Sequence, residues 1–438
     1  LLKRIIADFH QRPFPAYTPR DLAIPADLEK IITIIGPRRA GKTYYLFQIM
    51  DEQQRRGLQR HQILYLNFED ERLELEGQHD LILEAYWELY PDLDMAETFF
   101  FFDEIQGLDK WEQFIRRMYD TVTRRIFITG SNSRFLSAEI ATSLRGRSLA
   151  YEIMPLSFRE YLRFREIDHQ DIHSTRNTAR ISHAFEEYLV WGGYPELVHV
   201  EPSLKTEILH EYFNVMIWRD LVERYDIRNV SVLKYLLKRM ISGFTKEFSV
   251  NKLYNELKSR GRAISKQHIY DMTDAILSVY MLGQVEKYEP SVIRREMSNK
   301  KIYLYDNGFA SVTQYTFFED RGKLLENMVF THLRRQSDQI FFAKNAWECD
   351  FAVFFKRQPP LFIQVSHRLS SDNIRRETKG FESALKMARE GKCLLLFEEM
   401  EAGVRLPEGI EAAYVKDWLL GSETGPDVKY GKKAGAKR

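Results

Sequence analysis

The eight residues Gly36-Pro37-Arg38-Arg39-Ala40-Gly41-Lys42-Thr43 constrain this chain more than any others. They follow the β-branched run Ile31–Ile35 and precede a segment of helical rhythm that opens at Tyr44. A strand, then two glycines with four residues between them, then lysine, a hydroxyl and a helix, is the layout of a phosphate-cradling loop. The glycines let backbone N–H groups converge on phosphate oxygens, and the helix N-terminus adds the positive end of its dipole. The pattern predicts contacts to a nucleoside triphosphate from Gly36, Pro37, Arg38, Arg39, Ala40, Gly41, Lys42, Thr43 and Tyr44. Lys42 is expected to reach the β- and γ-phosphates and Thr43 to hold Mg2+, so ATP and Mg2+ are the expected cofactors.

The surrounding rhythm agrees. Short apolar runs at 31–36, 63–68, 98–104 and 125–131 are separated by helical stretches. Continuous apolar runs bounded by polar turns suit strands of a parallel sheet buried on both faces. The third run, Thr98-Phe99-Phe100-Phe101-Phe102-Asp103-Glu104, ends in two carboxylates. Acids at the carboxyl end of a parallel strand stand where ligands bind in such sheets. Asp103 is expected to hold Mg2+ and Glu104 to orient and polarise the attacking water, although in isolation an acidic strand end is more simply a solvated turn. The fourth run leads into Gly130-Ser131-Asn132-Ser133, where Asn132 could bond the γ-phosphate or the water, or simply close a polar turn. In Leu144-Arg145-Gly146-Arg147, Arg145 or Arg147 is a candidate for reaching a neighbouring subunit's γ-phosphate, against the plain alternative of a surface salt bridge.

Composition narrows the rest. The 438 residues leave room for two to four domains, and 44% hydrophobic with 29% charged residues excludes wholesale disorder. The net charge of +1 says nothing about nucleic acid, so any such signal is local. No apolar run reaches membrane-spanning length, so no membrane partner is expected. Two cysteines, Cys349 and Cys393, exclude a disulfide framework and suit a cytoplasmic chain. The histidines show no metal spacing.

In order, GPRRAGKT, YLNFED (65–70), FFFDEIQGLDKWEQFIRRMYD (100–120), ITGSNSRFL (128–136), SLRGR (143–147), PLSFREYL (155–162), WGGYPELV (191–198) and GKLLENMVF (322–330) resemble the AAA+-type ATPases of archaea and bacteria. Those proteins pair an N-terminal ATPase core with a C-terminal domain of unknown function. The resemblance covers roughly residues 30–400. It implies ATP binding and hydrolysis, a tendency to form rings or other homo-oligomers, and help at the Mg2+ or water site from Asn67, Glu69 or Asp70.

Further along, Ser249 can cap a helix to Arg260, Gly261 breaks it, and Ser265 can cap a second. Val285–Tyr288 and Lys301–Tyr305 could pair as a hairpin, which completes a winged helix-turn-helix order. Residues 251–301 carry ten basic and six acidic side chains, a local balance of 10 − 6 = +4. Arg260, Arg262 and Lys266 surround the turn, and Arg294, Arg295, Lys300 and Lys301 fall in the expected wing, so these seven are the predicted DNA-backbone contacts. A solvated basic face or a protein-interaction module is the plainer alternative.

From 322 the order is helix, three strands, helix, strand, an αβββαβ unit of restriction-endonuclease-like order. The positions that would carry metal chemistry are Glu326, Asp350 and Gln364-Val365-Ser366, with Glu348 nearby. Ser366 replaces the lysine such a site needs, with Lys344 or Arg368 as substitutes, so a degenerate domain is expected rather than a nuclease.

The expected fold class is α/β. A P-loop core with a parallel sheet occupies 1–153, a helical lid 154–235, a winged helix 236–315, a degenerate nuclease-like domain 316–420 and a loose tail 421–438. The expected function is an oligomeric, Mg-dependent ATPase that binds and remodels or translocates DNA, with Arg219 a further candidate for the arginine offered in trans. Two alternatives stay open: a nucleotide-switched regulatory or defence scaffold that binds protein, and an ATPase-regulated nuclease.

Overall fold

A computed structural model describes residues 1–25, 28–73, 75, 77–130, 144–171, 174–262, 264–313, 321–388 and 390–421. The chain forms two compact units. The first comprises Leu1–Leu156 with Tyr194–Glu196 and Ser278–Tyr280, and the second the remainder.

The first unit is built on five parallel strands: β1 (Ile31–Ile35), β2 (Ile63–Asn67), β3 (Phe99–Asp103), β4 (Ile126–Gly130) and β5 (Ser148–Glu152). Their order is β2-β3-β4-β1-β5. The first four coincide with the apolar runs, and β1, β3 and β4 are buried along their whole length. Four consecutive phenylalanines are tolerated in β3 because both faces are covered, and Phe101 stacks on Phe127 of β4 at 4.7 Å. Strand β5 was not foreseen. It is an edge strand whose residues are half-buried or exposed, so Ser-Leu-Ala-Tyr-Glu lacks the apolar run that marked its neighbours.

Register sets up the site. Asn67 pairs with Asp103, and Ile35 with Gly130. The carboxyl ends of β1, β3 and β4 therefore line one edge, and the helix Lys42–Arg55 begins there. Gly36 has φ 146°, and a Cβ on it would sit 2.0 Å from the Ile153 carbonyl oxygen, so no other residue fits.

The second unit contains the helices Phe158–Phe164, Thr175–Trp191, Pro202–Val215, Val230–Ser242 and Val250–Ser259, and an eight-stranded sheet. The strands are β6 (Glu247–Phe248), β7 (Leu282–Lys287), β8 (Lys300–Leu304), β9 (Ile340–Lys344), β10 (Glu348–Val353), β11 (Leu361–Leu369), β12 (Lys392–Met400) and β13 (Ile410–Tyr414). They run in the order β13-β12-β11-β10-β9-β7-β8-β6. The expected hairpin exists: β7 and β8 are antiparallel, with Val285 opposite Lys301. A short helix, Val292–Met297, lies between them. Because β7 also pairs with β9, Glu286 opposite Phe341, the hairpin and the C-terminal strands share one sheet. The order Arg321–Arg334, β9, β10, β11, Ile374–Ala388, β12 follows the expected αβββαβ, and β13 and the helix Val415–Leu420 extend it. The tail from 422 lies outside the described residues.

One buried clasp ties distant segments of this unit. Asp306 accepts hydrogen bonds from the N–H groups of Gly193 (2.7 Å) and Gly308 (2.9 Å). Gly192 has φ 75°, and a Cβ there would lie 1.7 Å from Asp306 Oδ1. Asn307 Nδ2 donates to the carbonyls of Leu189 and Leu324 at 2.8 and 3.0 Å. Gly192 of WGGYPELV is thus a packing requirement for a buried carboxylate, and Gly193 supplies a backbone N–H to it. Burial pushes that carboxyl up to about 7, against the pull of the two N–H groups and Arg335.

Candidate nucleotide site

The loop after β1 folds as the glycines demand. Gly41 sits in left-handed backbone at the helix start, and Lys42 is 5% exposed. Its ammonium donates to the loop's own carbonyls, Gly36 at 3.3 Å and Pro37 at 3.1 Å, and lies 3.7 Å from Glu104 Oε1. Loop carbonyls and a carboxylate thus hold a buried cation at the mouth of the cradle.

The acid side is equally specific. Asp103 is fully buried, yet three hydroxyls reach it. Thr43 donates to Oδ2 at 2.7 Å, Tyr65 to Oδ2 at 3.0 Å and Thr129 to Oδ1 at 2.5 Å. Burial pushes the Asp103 carboxyl above its ordinary value, the hydroxyls of Thr129, Thr43 and Tyr65 work the other way, and the charge of Glu104 adds to the rise. Sequence reasoning found Thr43 and Asp103 but not Tyr65 and Thr129. Those two reach the carboxylate because β2 and β4 flank β3, which neighbour identity alone does not reveal. The direct Thr43–Asp103 contact joins two hard oxygen donors of the kind Mg2+ takes. The site therefore fits Mg2+, with Thr43 and Asp103 as its holders, and the ion would there neutralise charge on bound phosphates.

Glu104 follows in left-handed backbone, φ 48° and ψ 52°, with its N–H on Thr129 Oγ1 at 2.8 Å. A sequence scan did not single out Gln106, whose Nε2 donates to Glu104 Oε2 at 2.5 Å.

The arginines separate. Arg38 pairs with Glu69 at 3.5 Å and Arg39 with Glu196 at 2.7 Å, so the loop's two guanidiniums are held on acids beside it. Tyr44 is exposed. Arg147 bonds Asp120 at 3.0 and 3.3 Å, which is the surface salt bridge weighed against a role in trans. Arg145 is exposed. Arg219 lies on a π-helical turn of the second unit and is also exposed. Asn67 accepts from the Glu69 N–H, and Asp70 is held to about 2 by hydrogen bonds from Arg72, so both shape the loop after β2. Asn132 and its serine neighbours lie outside the described residues.

Among the expected DNA contacts, Arg260, Arg262, Lys266, Arg294 and Arg295 are on or near the surface, while Lys300 pairs with Glu286 at 2.8 Å and Glu296 at 3.5 Å. Lys301 is a correction. It is 1% exposed, with its ammonium 2.7 Å from Glu348, 3.1 Å from Glu326 and 3.5 Å from Asp350, and so cannot reach a phosphate backbone. The reason is strand alternation: neighbours on β8 point to opposite faces, so Lys300 and Lys301 cannot both face water. The same contact gives the αβββαβ unit, in place of its missing lysine, a cation from β8. Lys344 also reaches this cluster, 3.1 Å from Glu348, while Arg368 pairs with Glu401 at 2.9 Å. Burial pulls the Lys301 ammonium down, but Glu326, Tyr303, Asp350 and Glu348 hold it well above its ordinary value. Burial pushes Asp350 upward. Among the described residues no group of three or more acidic, histidine or cysteine side chains is placed to hold a metal ion.

Comparison with known proteins agrees with the first unit's geometry. Residues 28–162 match an AAA domain, and residues 182–316 match a domain of unknown function, DUF8612. The chain is 37% identical over 377 residues to the uncharacterized protein MJ1544 of Methanocaldococcus jannaschii, covering 84% of this chain and 81% of the relative. It belongs to the family of that protein. An uncharacterized protein of Haemophilus influenzae is 27% identical over 399 residues, 90% of this chain and 95% of its own length. Among solved structures, the Walker-type ATPase PABY2304 of Pyrococcus abyssi aligns over 65% of this chain and 90% of its own at 14% identity and a TM-score of 0.41, too distant to carry over any residue's role. Among the described residues, no helix is long and apolar enough to cross a membrane.

Proposed function

We propose that this chain is a Mg-dependent ATPase that hydrolyses ATP to ADP and phosphate. The observation that carries this is the 2.7 Å contact between Thr43 and Asp103, which brings a phosphate loop and a strand-end acid sixty residues apart onto one Mg2+-suited pair. Lys42 would bind phosphate oxygens, Thr43 and Asp103 would hold the ion, and Glu104 would take the proton of the attacking water. The test is phosphate release with Mg2+ and ATP. Lys42→Ala should abolish it and remove ATP uptake in calorimetry, and turnover that survives Lys42→Ala sinks the reading.

We propose further that copies assemble with an arginine of one reaching the nucleotide of the next. Arg145 suits that role better than Arg147, because Arg147 is already engaged by Asp120. Arg145→Ala should lower turnover per subunit most at concentrations where copies associate, and a concentration-independent rate removes the assembly from the reading.

We propose DNA as the partner. The support is local: over 258–266 Lys258, Arg260, Arg262 and Lys266 are exposed, and of the four Arg260 pairs with Glu256 at 3.2 Å. Such contacts are dominated by backbone phosphates. Reversing Arg262 and Lys266 should weaken duplex binding and flatten its salt dependence, and unchanged affinity leaves only the nucleotide-driven protein scaffold.

A further inference from the structure

The first residues of the chain wall off a cavity that the phosphate-loop chemistry does not use. The helix Leu2–Gln11 stops ahead of Pro13, and a residue before proline is restricted to extended backbone. Arg12 adopts it, with φ −86° and ψ 141°. The chain beyond brings Phe14 against Phe9 of that helix and Phe47 of the helix Lys42–Arg55. With Tyr65 of β2 the rings close a circuit. Their centroids are 6.2 Å apart for Phe9–Phe14, 6.0 Å for Phe14–Phe47, 5.3 Å for Phe47–Tyr65 and 5.2 Å for Tyr65–Phe9. All four line a cavity of about 280 Å3, and none is fully buried. Ring surface left accessible inside a cavity suits a flat apolar occupant.

Arg60 stands in the same wall. Its guanidinium lies over Phe14 and Phe9, 3.7 and 4.2 Å from the ring centroids. Nη2 donates to the carbonyls of Phe9 at 2.8 Å and Arg12 at 3.1 Å. Nη1 bonds to no described residue and is not among the enclosed atoms, so its two N–H groups stay on offer. Burial pulls the Arg60 pKa down to about 10, and no carboxylate is near enough to oppose it. A half-buried cation without a counter-charge is costly, and an anion beside it would remove that cost. Arg12 is exposed and likewise pairs with no acid among the described residues. The other arginine of the lining, Arg72, is held by Asp70, and Asp8 is the one acid left over. The cavity adjoins an open groove of about 760 Å3, and Arg12 and Arg60 line both, so the two unpaired cations stand where cavity meets groove.

We infer that this cavity is a second ligand site, separate from the phosphate loop, for a small anion built on a flat ring. The ring lies among Phe9, Phe14, Phe47 and Tyr65, and its carboxylate or phosphate rests on Arg60 and Arg12. The shared chemistry is a flat ring with one anionic group, and it is met by a free aromatic acid or by a nucleoside monophosphate. The site stands apart from the ATPase reading, although one side chain belongs to both places: the Tyr65 that walls the cavity donates its hydroxyl to Asp103 at 3.0 Å.

The test is a ligand-observed NMR titration of the full chain with benzoate, AMP and, as a ring without charge, benzyl alcohol. Benzoate or AMP should bind with a Kd of about 0.1 mM, ordinary for a ligand of that size. Benzyl alcohol should bind about ten-fold more weakly or worse, since it brings no charge to the guanidiniums. Tighter benzoate identifies the occupant's class as a free aromatic acid, and tighter AMP as a nucleotide. Binding should persist in excess ATP analogue. Arg60→Gln keeps a donor for the two carbonyls, removes the charge and should weaken the better probe by about ten-fold. Arg12→Gln has no side-chain bond to lose, so it keeps the fold even where a lowered thermal midpoint spoils the first variant. It should weaken the same probe by about two- to three-fold at low salt, as befits an exposed charge. Silence from both anions up to about 10 mM overturns the site, as does benzyl alcohol binding equally well. So does one-for-one displacement by the ATP analogue, which puts the probe on the phosphate loop, or an affinity unchanged in either folded variant.

Discussion

The two units each bury a lysine among carboxylates, and they do so to opposite ends. Lys301 is enclosed by three acids within 3.5 Å, so its charge is answered inside the protein. Lys42 has one carboxylate at 3.7 Å, and its shorter contacts are to carbonyls that carry no charge. The first arrangement is closed and needs no ligand. The second keeps a cation facing a cradle of backbone N–H groups, a combination that attracts a polyanion. What separates a structural ion cluster from a binding site here is thus whether the protein supplies the counter-charge, rather than burial or residue type.

That contrast breaks most sharply if the closed cluster is opened. Lys301→Met should leave Glu326 and Asp350 without their cation, Glu348 keeping Lys344, and cost about 3–5 kcal/mol, the usual penalty for removing one partner of a buried ion pair. The check is urea unfolding, with the transition of the second unit read separately. Glu104→Gln in the first unit should do the reverse. Turnover collapses while stability stays within about 1 kcal/mol, because the carboxylate is there for chemistry and not for packing. Equal destabilisation by the two substitutions would erase the distinction.

How much of this could be read from residues alone follows the same line. The phosphate loop and the acids of β3 were legible because the chemistry demands particular residue types at fixed local spacing, and the four apolar runs because a sheet buried on both faces leaves no polar alternation. Tyr65 and Thr129 were not, since their reach to Asp103 depends on which strands are neighbours. Lys301 was misplaced for lack of a face assignment: a pair of adjacent lysines on a strand implies that one is inside, but nothing in the pair says which. The burial of Asp306 beneath Gly192 and Gly193 was equally hidden, because the carboxylate lies 113 residues from the N–H it accepts.

The Asp306 clasp supplies a case between the two lysines, a buried carboxyl held by two backbone N–H groups. Its folded pKa of about 7 stands above the ordinary 3.8, so the folded state keeps a proton that the unfolded chain has released. Stability from this group is therefore greatest in acid and is lost as pH rises through about 7. Between pH 6 and pH 8 the loss amounts to about 1 kcal/mol. Asp306→Asn does not titrate and should flatten that part of the slope when unfolding midpoints are compared across the interval. A slope unchanged in the variant would show that the carboxylate is ionised throughout.

The smallest effect is expected at the rim of the open site. Arg39 and Glu196 pair at 2.7 Å with both side chains about half exposed. An exposed ion pair contributes about 0–1 kcal/mol, so Glu196→Ala should barely move stability. Arg39 is a loop residue, however, and losing Glu196 removes a competitor for its guanidinium. ATP affinity should therefore rise by about two- to five-fold at low salt, the same fraction of a kcal/mol viewed from the nucleotide's side. The gain should fade as added salt screens the exposed charges. Binding titrations of the wild-type and variant chains at two ionic strengths decide it. Weaker ATP binding in the variant would mean that Glu196 holds Arg39 in place for the phosphates, and that this rim is organised by the protein in the way the Lys301 cluster is.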